Sequence, residues 1–320
     1  MRKKPLFACL PCLCLLSSAA PAEPRVGCVL YSLGRELAAL YRGELAAGQS
    51  EEEARYAALR AVLADLAEMG YAGVQFLYDE ALTEQPIAYQ LTCINALPPE
   101  QVAALLKEFS LIPLAPHCAQ FTREACDLLA ALGCEGLTLQ GCSLSQGPLQ
   151  ALPEREAAAR ADAAYYQQAL RALSEWGYGD TLYLSYHSHW WELPPVNEAG
   201  ENDLDFLWSA TEGRLALQLD TTWACWPYLG PEGLAEYLQT HAHQFTTLLH
   251  VKDIEFATGT PCAVGRGDIP WEELLPLWRE NGVEWLIVEN DGPRKVNGSG
   301  LEDMAENLRY LQEKLAKTAN

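Results

Sequence analysis

Short apolar runs alternate with longer amphipathic stretches along almost the whole chain, and this alternation constrains the fold more than any other feature of the sequence. Each apolar run is predicted as a strand, at residues 25–33, 71–78, 111–117, 135–141, 181–187, 214–220, 245–251 and 284–290. Each is followed by a stretch of helical spacing, at residues 51–69, 98–109, 121–132, 154–176, 202–211, 230–243, 271–281 and 300–316. The sequence therefore predicts eight strand–helix units.

The composition of these runs indicates how the units are arranged. Several runs are apolar nearly throughout, as expected of strands that are covered on both faces. A glycine stands between a helix and the next strand at Gly70, Gly133, Gly177 and Gly282, where a left-handed helix C-cap is expected. No GxGxxG pattern follows the first strand, and no long linker interrupts the series. We therefore expect residues 25–320 to form a single (β/α)8 TIM barrel rather than an open doubly wound sheet.

The first 24 residues differ from the rest of the chain. Arg2, Lys3 and Lys4 precede an apolar stretch at residues 5–16, and small residues ending in "APA" follow it. This order is that of a secretory signal peptide, so we expect residues 1–24 to direct export from the cytoplasm. The alternative is a mis-assigned start codon, in which case the protein is cytoplasmic. No later segment reaches the roughly 18 unbroken apolar residues of a membrane span, so no stable membrane insertion is expected.

The charge of the chain narrows the choice of partner. Its formal net charge is -21, with 43 acidic and 22 basic residues. Phosphate binding needs a basic stripe, so a nucleic-acid partner is not expected. An acidic surface most often serves solubility.

Groups that can bind a metal or move a proton stand where the later predicted strands end. They are His117 on the third strand, His187, His189 and Glu192 on the fifth, Asp220 on the sixth, His250 and Lys252 on the seventh, and Glu289 on the eighth. Because the carboxyl ends of barrel strands meet at one rim, we expect these side chains to converge on an active site there. Imidazole combined with carboxylate suits Mn²⁺, Zn²⁺, Co²⁺ or Fe²⁺ better than Ca²⁺, which prefers oxygen ligands alone.

Each of these residues also has an ordinary interpretation. A single histidine at a strand end is often only a hydrogen-bonded polar residue, and an aspartate before a turn usually caps backbone amides. The combination favours a metal site, because four of the six histidines stand at strand ends and four consecutive strands end on possible ligands. We therefore predict a divalent metal ion as the cofactor.

Seven segments of the sequence carry a resemblance to one enzyme family. They are "VGCVLYSLGREL", "GYAGVQF", "YHSHWWEL", "LQLDTTWACW", "LLHVKD", "VGRGDIPWEELL" and "WLIVENDGP". Over residues 25–316, and in the same order, they resemble the strand-end motifs of the sugar phosphate isomerase/epimerase family of xylose-isomerase-like barrels.

The resemblance implies a divalent metal held by side chains from strands five to eight. The ligands of strands six to eight are matched by Asp220, His250 and Glu289. Many relatives carry Glu at the position on the fifth strand. This chain offers His187 there, with His189 and Glu192 as alternatives, and we favour His187.

The resemblance also implies a reaction, the isomerisation or epimerisation of a sugar or keto-sugar. A base removes a proton next to a carbonyl, and the metal stabilises the ene-diolate that results. Glu289 and Glu192 are the candidate bases, and Lys252 is a candidate electrophile or acid. Lys252 could equally be a rim charge that pairs with Asp253. Gln75 departs from the family, which often has Glu there, so any role that needs a carboxylate at that point is in doubt.

A further set of residues is predicted to contact the substrate. It comprises His117, His189, Trp191, Trp223, Arg266 and Tyr31. Aromatic rings near strand ends can stack on the apolar C–H faces of a sugar, although in a large barrel such rings can also simply fill the core. The alternative interpretation of Arg266 is a surface arginine in a glycine-flanked loop. If the protein is exported, an unphosphorylated sugar is expected, because sugar phosphates are cytosolic.

Three other functions fit parts of the sequence. Expulsion of a β-oxygen on the same site would make the protein a keto-sugar dehydratase or 3-keto-glycoside eliminase, and the sequence does not separate this lyase from an isomerase. A DNA-repair endonuclease of the same fold would need more histidine ligands and a basic groove. A non-catalytic sugar-binding protein is disfavoured by the joint presence of Asp220, His250 and Glu289. The sequence predicts no oligomeric state.

Overall fold

The computed structural model describes residues 23–140, 151–290 and 300–318. The strands in these ranges are β1 Arg25–Val29, β2 Gly73–Gln75, β3 Leu77–Tyr78, β4 Ile112–Pro113, β5 His117–Cys118, β6 Gly136–Gln140, β7 Tyr183–His187, β8 Ala216–Gln218, β9 Leu248–Val251, β10 Asp253–Glu255, β11 Thr260–Cys262 and β12 Trp285–Val288. The α-helices are α1 Gly34–Ala46, α2 Glu51–Met69, α3 Ile87–Gln90, α4 Pro99–Glu108, α5 Arg123–Ala131, α6 Leu152–Glu175, α7 Asp203–Ala210, α8 Thr221–Ala224, α9 Gly230–His241, α10 Trp271–Glu280 and α11 Gly300–Thr318. No described helix combines the length and the apolar character that a membrane span requires. The predicted signal peptide falls almost wholly outside the described residues and stays a prediction.

The parallel strands close into a ring. One sheet has the order β4-β2-β1-β12-β9 and the other the order β3-β5-β6-β7-β8. On one side the sheets are continuous, because β2 and β3 are separated only by Phe76 and both pair with the segment that contains β4 and β5. On the other side Asp220 forms a bridge with His250, whose backbone N–H donates to the Leu219 carbonyl at 2.9 Å. The prediction of a (β/α)8 barrel is confirmed.

Helices follow the barrel strands at the predicted positions. α2 spans the predicted range, and α4, α5, α6, α7, α9, α10 and α11 begin and end within two residues of theirs. α2 begins at a capping box, in which Ser50 Oγ accepts from the Glu53 N–H at 3.3 Å while the Glu53 carboxylate accepts from the Ser50 N–H at 2.9 Å. It ends at Gly70, whose φ of 103° is the left-handed conformation expected there.

The first unit differs from its prediction. The strand predicted over residues 25–33 ends at Val29, and the unpredicted helix α1 begins five residues later, after a short 3-10 turn. Leu33, Leu37 and Tyr41 are buried and lie four residues apart, which is the spacing of one helix face. The prediction was wrong because apolar residues with helical spacing follow the strand without a break.

A second unpredicted element, the antiparallel hairpin β10–β11, follows the seventh barrel strand. The carboxylate of Asp253, at the start of this hairpin, is buried. It accepts hydrogen bonds from the N–H groups of Gly265 at 2.7 Å and Ile269 at 3.2 Å, and from the Trp271 indole at 2.8 Å. Asp253 therefore holds in place the loop that leads to α10.

Candidate active site

A cavity of about 380 Å³ opens at the carboxyl ends of the barrel strands. The predicted site residues that line it are Tyr31, His117, His187, His189, Trp223, Lys252 and Glu289. Asp220 and His250 are fully buried next to it. Barrel closure therefore brings together residues from distant parts of the chain at the rim where barrel enzymes bind their substrates.

Asp220, His250 and Glu289 form the centre of the site. One possible ligand atom of each lies within 4.8 Å of those of the other two, and all three residues are buried. His250 Nδ1 lies 2.5 Å from Glu289 Oε2, in a contact without hydrogen-bond geometry. A buried polar nitrogen without a hydrogen bond needs an explanation, and an ion shared with neighbouring carboxylates is one.

The two carboxylate oxygens of Asp220 have separate tasks. Oδ1 accepts a hydrogen bond from the Trp223 N–H at 3.0 Å and so caps α8. Oδ2 faces the centre, 2.6 Å from Lys252 Nζ and 3.8 Å from His187 Nε2. Asp220 is thus both the helix cap and the inward-facing carboxylate that the sequence offered as alternatives.

Lys252 joins the two central carboxylates. Its ammonium lies 2.6 Å from Asp220 Oδ2 and 2.9 Å from Glu289 Oε2, and about 6.0 Å from the centroid of the Trp223 ring. Asp253, the alternative partner, directs its carboxylate to the loop before α10 instead. The ammonium offsets part of the negative charge that the two buried carboxylates concentrate at the centre.

Two buried glutamines contact the histidines of the site. Gln75 Oε1 lies 2.6 Å from His250 Nε2, and the Gln75 amide donates to the Ala115 carbonyl at 2.6 Å. Gln218 Oε1 lies 2.9 Å from His117 Nε2 and 2.8 Å from His187 Nδ1. Neither glutamine was predicted from the sequence to have a role in the site. The sequence position of Gln218 could have indicated its place in the site. Gln218 stands two residues before Asp220, so its side chain points to the same face of the strand.

The rings of His117, His187 and His250 form a compact cluster, with centroids 4.5–4.9 Å apart. Their nitrogen atoms are close enough together to suggest a second ion site. However, the His117 and His250 rings are stacked, with planes only 5° apart. Ring lone pairs lie in the ring plane, so those of two stacked rings cannot meet at one ion. The group that contains both carboxylates is therefore the better metal site.

Burial favours the neutral form of His117, His187 and His189, and Lys252 favours the ionised form of Glu289. Burial lowers the pKa of His117 to about 3, lowers that of His189 to about 4, and holds that of His187 well below its usual range. Neutral imidazole is the form that ligates metals. Burial would raise the pKa of Glu289, but the neighbouring Lys252 ammonium and the contact with His250 outweigh burial and hold this pKa well below its usual range.

The fifth strand supplies three candidate ligands, of which His187 faces Asp220. Glu192 is fully buried and does not line the cavity formed by the described residues. Its carboxylate accepts hydrogen bonds from the Tyr186 hydroxyl and, at 3.0 Å, from the His189 N–H. The structure therefore places Glu192 behind the site, where it holds the loop, and not where a base would meet a substrate. Burial raises the pKa of Glu192 to about 7.

Two predicted substrate contacts lie away from the cavity. Trp191 packs against the far side of the site, with its ring 4.5 Å from that of His189, and it does not line the cavity formed by the described residues. Arg266 forms an ion pair with Glu306 of α11, and its side chain is 51% exposed. This placement agrees with the alternative interpretation of Arg266 as a surface arginine, and its role in substrate binding stays a prediction.

The cavity also contains residues that sequence analysis missed. Tyr89, on the short helix α3 after the second barrel strand, lines it together with Tyr31, which is 46% exposed. Gln140, at the end of β6, contacts His117 Nδ1 through its side-chain amide at 2.5 Å. No sequence pattern pointed to Tyr89, because its helix is too short to show a periodicity.

The residues present fit a divalent metal ion. Asp220 and Glu289 supply carboxylate oxygens, His250 supplies a nitrogen without a hydrogen bond, and His187 lies next to them. This mixed oxygen and nitrogen set suits Mn²⁺, Zn²⁺, Co²⁺ or Fe²⁺ better than Ca²⁺.

The barrel fold of this chain is shared with solved structures that are described as xylose isomerase-like TIM barrels. No protein-family model and no curated protein matches the sequence. The resemblance noted in the sequence is thus supported by solved structures, at the level of the fold.

Three of these structures show the range of the similarity. A sugar phosphate isomerase/epimerase from Parabacteroides distasonis is 19% identical and has a TM-score of 0.65, covering 97% of this chain and 100% of its own. D-allulose 3-epimerase from Methylomonas sp., in complex with D-allulose, is 14% identical, with a TM-score of 0.59 over 92% of this chain and 99% of its own. A xylose isomerase-like TIM barrel protein from Mycobacterium smegmatis, in complex with magnesium, is 13% identical, with a TM-score of 0.55 over 92% and 98%.

Proposed function

We propose that this protein is a divalent-metal-dependent isomerase or epimerase that moves a proton next to the carbonyl of a sugar or keto-sugar. The observation that carries the proposal is the convergence of Asp220, His250 and Glu289 beside a cavity of about 380 Å³. This volume is within the range of small-molecule sites. The similar structures include epimerases of ketoses, which supports the same kind of reaction here.

The side chains at the centre are suited to proton transfer. A metal ion held by Asp220, His250, Glu289 and His187 would polarise the substrate carbonyl and stabilise negative charge on its oxygen. Glu289 is the ionised carboxylate that both belongs to the centre and lines the cavity, so it is our candidate base. The Lys252 ammonium also lines the cavity, where it can donate a hydrogen bond to an oxygen that becomes negative as the C–H proton leaves.

The aromatic residues at the cavity suit a carbohydrate. Tyr31, Tyr89 and Trp223 line it, and the apolar C–H face of a sugar ring can pack against such rings. If the predicted signal peptide directs export, the reaction takes place outside the cytoplasm, and this favours an unphosphorylated substrate. Mass spectrometry of the purified protein tests the export: a mature N-terminus near Glu23 supports it, whereas an intact Met1 in a cytosolic fraction contradicts it.

The activity itself is tested by metal analysis and deuterium exchange. We expect the purified protein to contain a stoichiometric divalent metal. In D₂O, a panel of aldoses, ketoses and 3-keto-glycosides should include a substrate that gains deuterium next to its carbonyl, and a chelator should stop the gain.

Asp220→Asn is the decisive variant, because the amide can still cap α8 through its oxygen but lacks the charge. We expect it to lose metal and deuterium exchange while keeping the fold. Asp205→Asn is the matched control, since Asp205 also hydrogen-bonds at a helix N-terminus, through the Asn202 N–H at 3.1 Å, but does not line the cavity. Deuterium exchange that persists in Asp220→Asn, or that continues in the presence of the chelator, would refute the proposal.

A further inference from the structure

Part of the cavity wall is supplied by the segment at residues 79–96, which connects β3 with α4. The segment leaves β3 and returns to it, where the Leu77 N–H donates to the Thr92 carbonyl at 3.0 Å. In its middle, the short helix α3 carries Tyr89, which lines the cavity. The position of α3 therefore decides how far this aromatic residue reaches into the site.

Two neighbouring helices hold α3 in place. Arg55 of α2 donates to the side-chain oxygen of Gln90 at 2.8 Å. The contact with α1 is closer, because Gly34, the first residue of α1, packs against the backbone of Ala88. A Cβ atom at Gly34 would lie 2.5 Å from the Ala88 carbonyl oxygen. The contact between α1 and α3 therefore leaves no room for a side chain at this position.

Gly34 is required for this space and not for its backbone conformation. Its φ of -57° and ψ of -31° are ordinary helical values that alanine adopts equally well. The 2.5 Å separation, however, is well inside the roughly 3.5 Å at which nonbonded atoms normally meet. Gly34 also ends the turn that carries Tyr31, since its N–H donates to the Tyr31 carbonyl. One glycine thus joins the two segments that carry the cavity residues Tyr31 and Tyr89.

We propose that Gly34 is a positioning residue of the substrate pocket, whose missing side chain lets α3 dock on α1 so that Tyr89 reaches the cavity and packs against the sugar. This inference deepens the proposed function and rests on it for the identity of the substrate. The apolar C–H face of a sugar gains contact from such a ring. The carboxylate and imidazole ligands come from the opposite part of the chain, at the ends of β8, β9 and β12. A displaced α3 should therefore weaken sugar binding without loss of metal.

Amide hydrogen exchange tests the positioning without any substrate. In Gly34→Ala the added methyl group should force α3 away from α1, and we expect the amides of residues 79–96 to exchange about fivefold faster or more. Gly43→Ala is the matched control, because Gly43 lies on the same helix and its Cβ would meet no described atom within 4 Å. It should leave the exchange of this segment unchanged. Equal exchange rates in the two variants would overturn the proposal.

Steady-state kinetics test what the position of α3 does for the substrate. The probe is the sugar of the panel that gains deuterium fastest with the wild-type protein. We expect Gly34→Ala to raise its KM about two- to tenfold, as for the loss of an aromatic contact. The kcat and the bound metal should stay within about twofold of the wild type, whereas damage to the fold alone would lower both with the fraction of folded protein. A wild-type KM in folded Gly34→Ala would refute the inference.

Tyr89→Leu provides a second variant, which decides the question if Gly34→Ala does not fold. Its KM should rise by a similar factor, and the double variant should be no worse than Tyr89→Leu, because Gly34 acts through Tyr89. An unchanged KM in Tyr89→Leu, or a further rise in the double variant, would show the inference to be wrong. If no sugar of the panel exchanges with the wild type, the proposed function fails, while the hydrogen exchange of residues 79–96 still decides whether Gly34 holds α3.

Discussion

Replacement of Lys252 by methionine removes the ammonium group that lies between Asp220 and Glu289. The ammonium lies 2.6 Å from one carboxylate and 2.9 Å from the other, and all three groups are buried. Methionine keeps a similar length and apolar character but removes the charge. We expect the metal-free variant to be less stable than the wild type, because two neighbouring buried carboxylates lose their partner.

The size of this loss of stability can be worked out from the proton that Asp220 or Glu289 must bind once the ammonium is gone. Keeping a carboxyl group with an ordinary pKa of 4.5 protonated at pH 7 costs about 3 kcal/mol, at roughly 1.4 kcal/mol per pH unit. This lies at the lower edge of the roughly 3–5 kcal/mol expected when one partner of a buried ion pair is removed. It corresponds to a fall in Tm of about 6 °C or more for a domain of this size.

The stability loss of Lys252→Met should also depend on pH. In the wild type the pKa of Glu289 is held below its ordinary value, so its stabilising contribution is present above pH 4.5 and is lost as the pH falls through the lower pKa of the folded state. That contribution is the same at pH 5 and pH 7, whereas the cost of protonating a carboxyl group in the variant falls with pH, so the deficit should be about 3 kcal/mol smaller at pH 5 than at pH 7.

Urea unfolding of the chelator-treated proteins at pH 5 and pH 7 measures the stability loss of Lys252→Met at each pH. Lys314→Met is the matched control, because Lys314 pairs with Glu272 on the surface, and its stability should be close to that of the wild type at both pH values. A deficit of Lys252→Met that is absent at pH 7, or equal at the two pH values, would refute the reasoning.

Two further predictions concern the loop behind the site. Glu192→Gln should become more stable relative to the wild type as the pH rises from 4.5 to 7, by about 3 kcal/mol, because burial raises the pKa of Glu192 to about 7 and its ionised form is disfavoured in the folded state. Urea midpoints at several pH values measure this difference, and a difference that does not vary with pH would contradict it. Arg155→Met should cost about 2 kcal/mol, because the buried guanidinium donates to the carbonyls of Trp191, Pro194 and Pro195 at 3.0–3.2 Å. Hydrogen exchange should increase locally over residues 189–196, and exchange that is unchanged there would show that Arg155 does not hold the loop.

The fold could be predicted to a large extent because its signals are local. Strand and helix periodicities, and a helix-ending glycine such as Gly70, are visible within a few residues of sequence. The two elements that were not predicted also have a local explanation. α1 was missed because its apolar face begins directly after the first strand, and β10–β11 because a hairpin of two short strands shows too few alternations.

The site was only partly predictable. The residue types at the strand ends indicated a metal centre, since the rule that barrel strands end at one rim needs no contact information. The same rule did not show that the Glu192 carboxylate lies behind the site, because a residue a few positions past a strand can turn away from the cavity. Nor could the loop sequence around Arg266 show that its side chain pairs with Glu306 at the surface.

The sequence alone determined the order of the eight strand–helix units and the presence of acidic and imidazole groups at the ends of strands five to eight. Tertiary structure decided which of those groups face one another. The contact between Gln75 and His250 joins residues 175 positions apart, and it exists only because the ring of strands closes in one particular stagger. Periodicity records how residues are spaced along the chain, whereas partners across a barrel depend on the register between strands, which no local pattern contains.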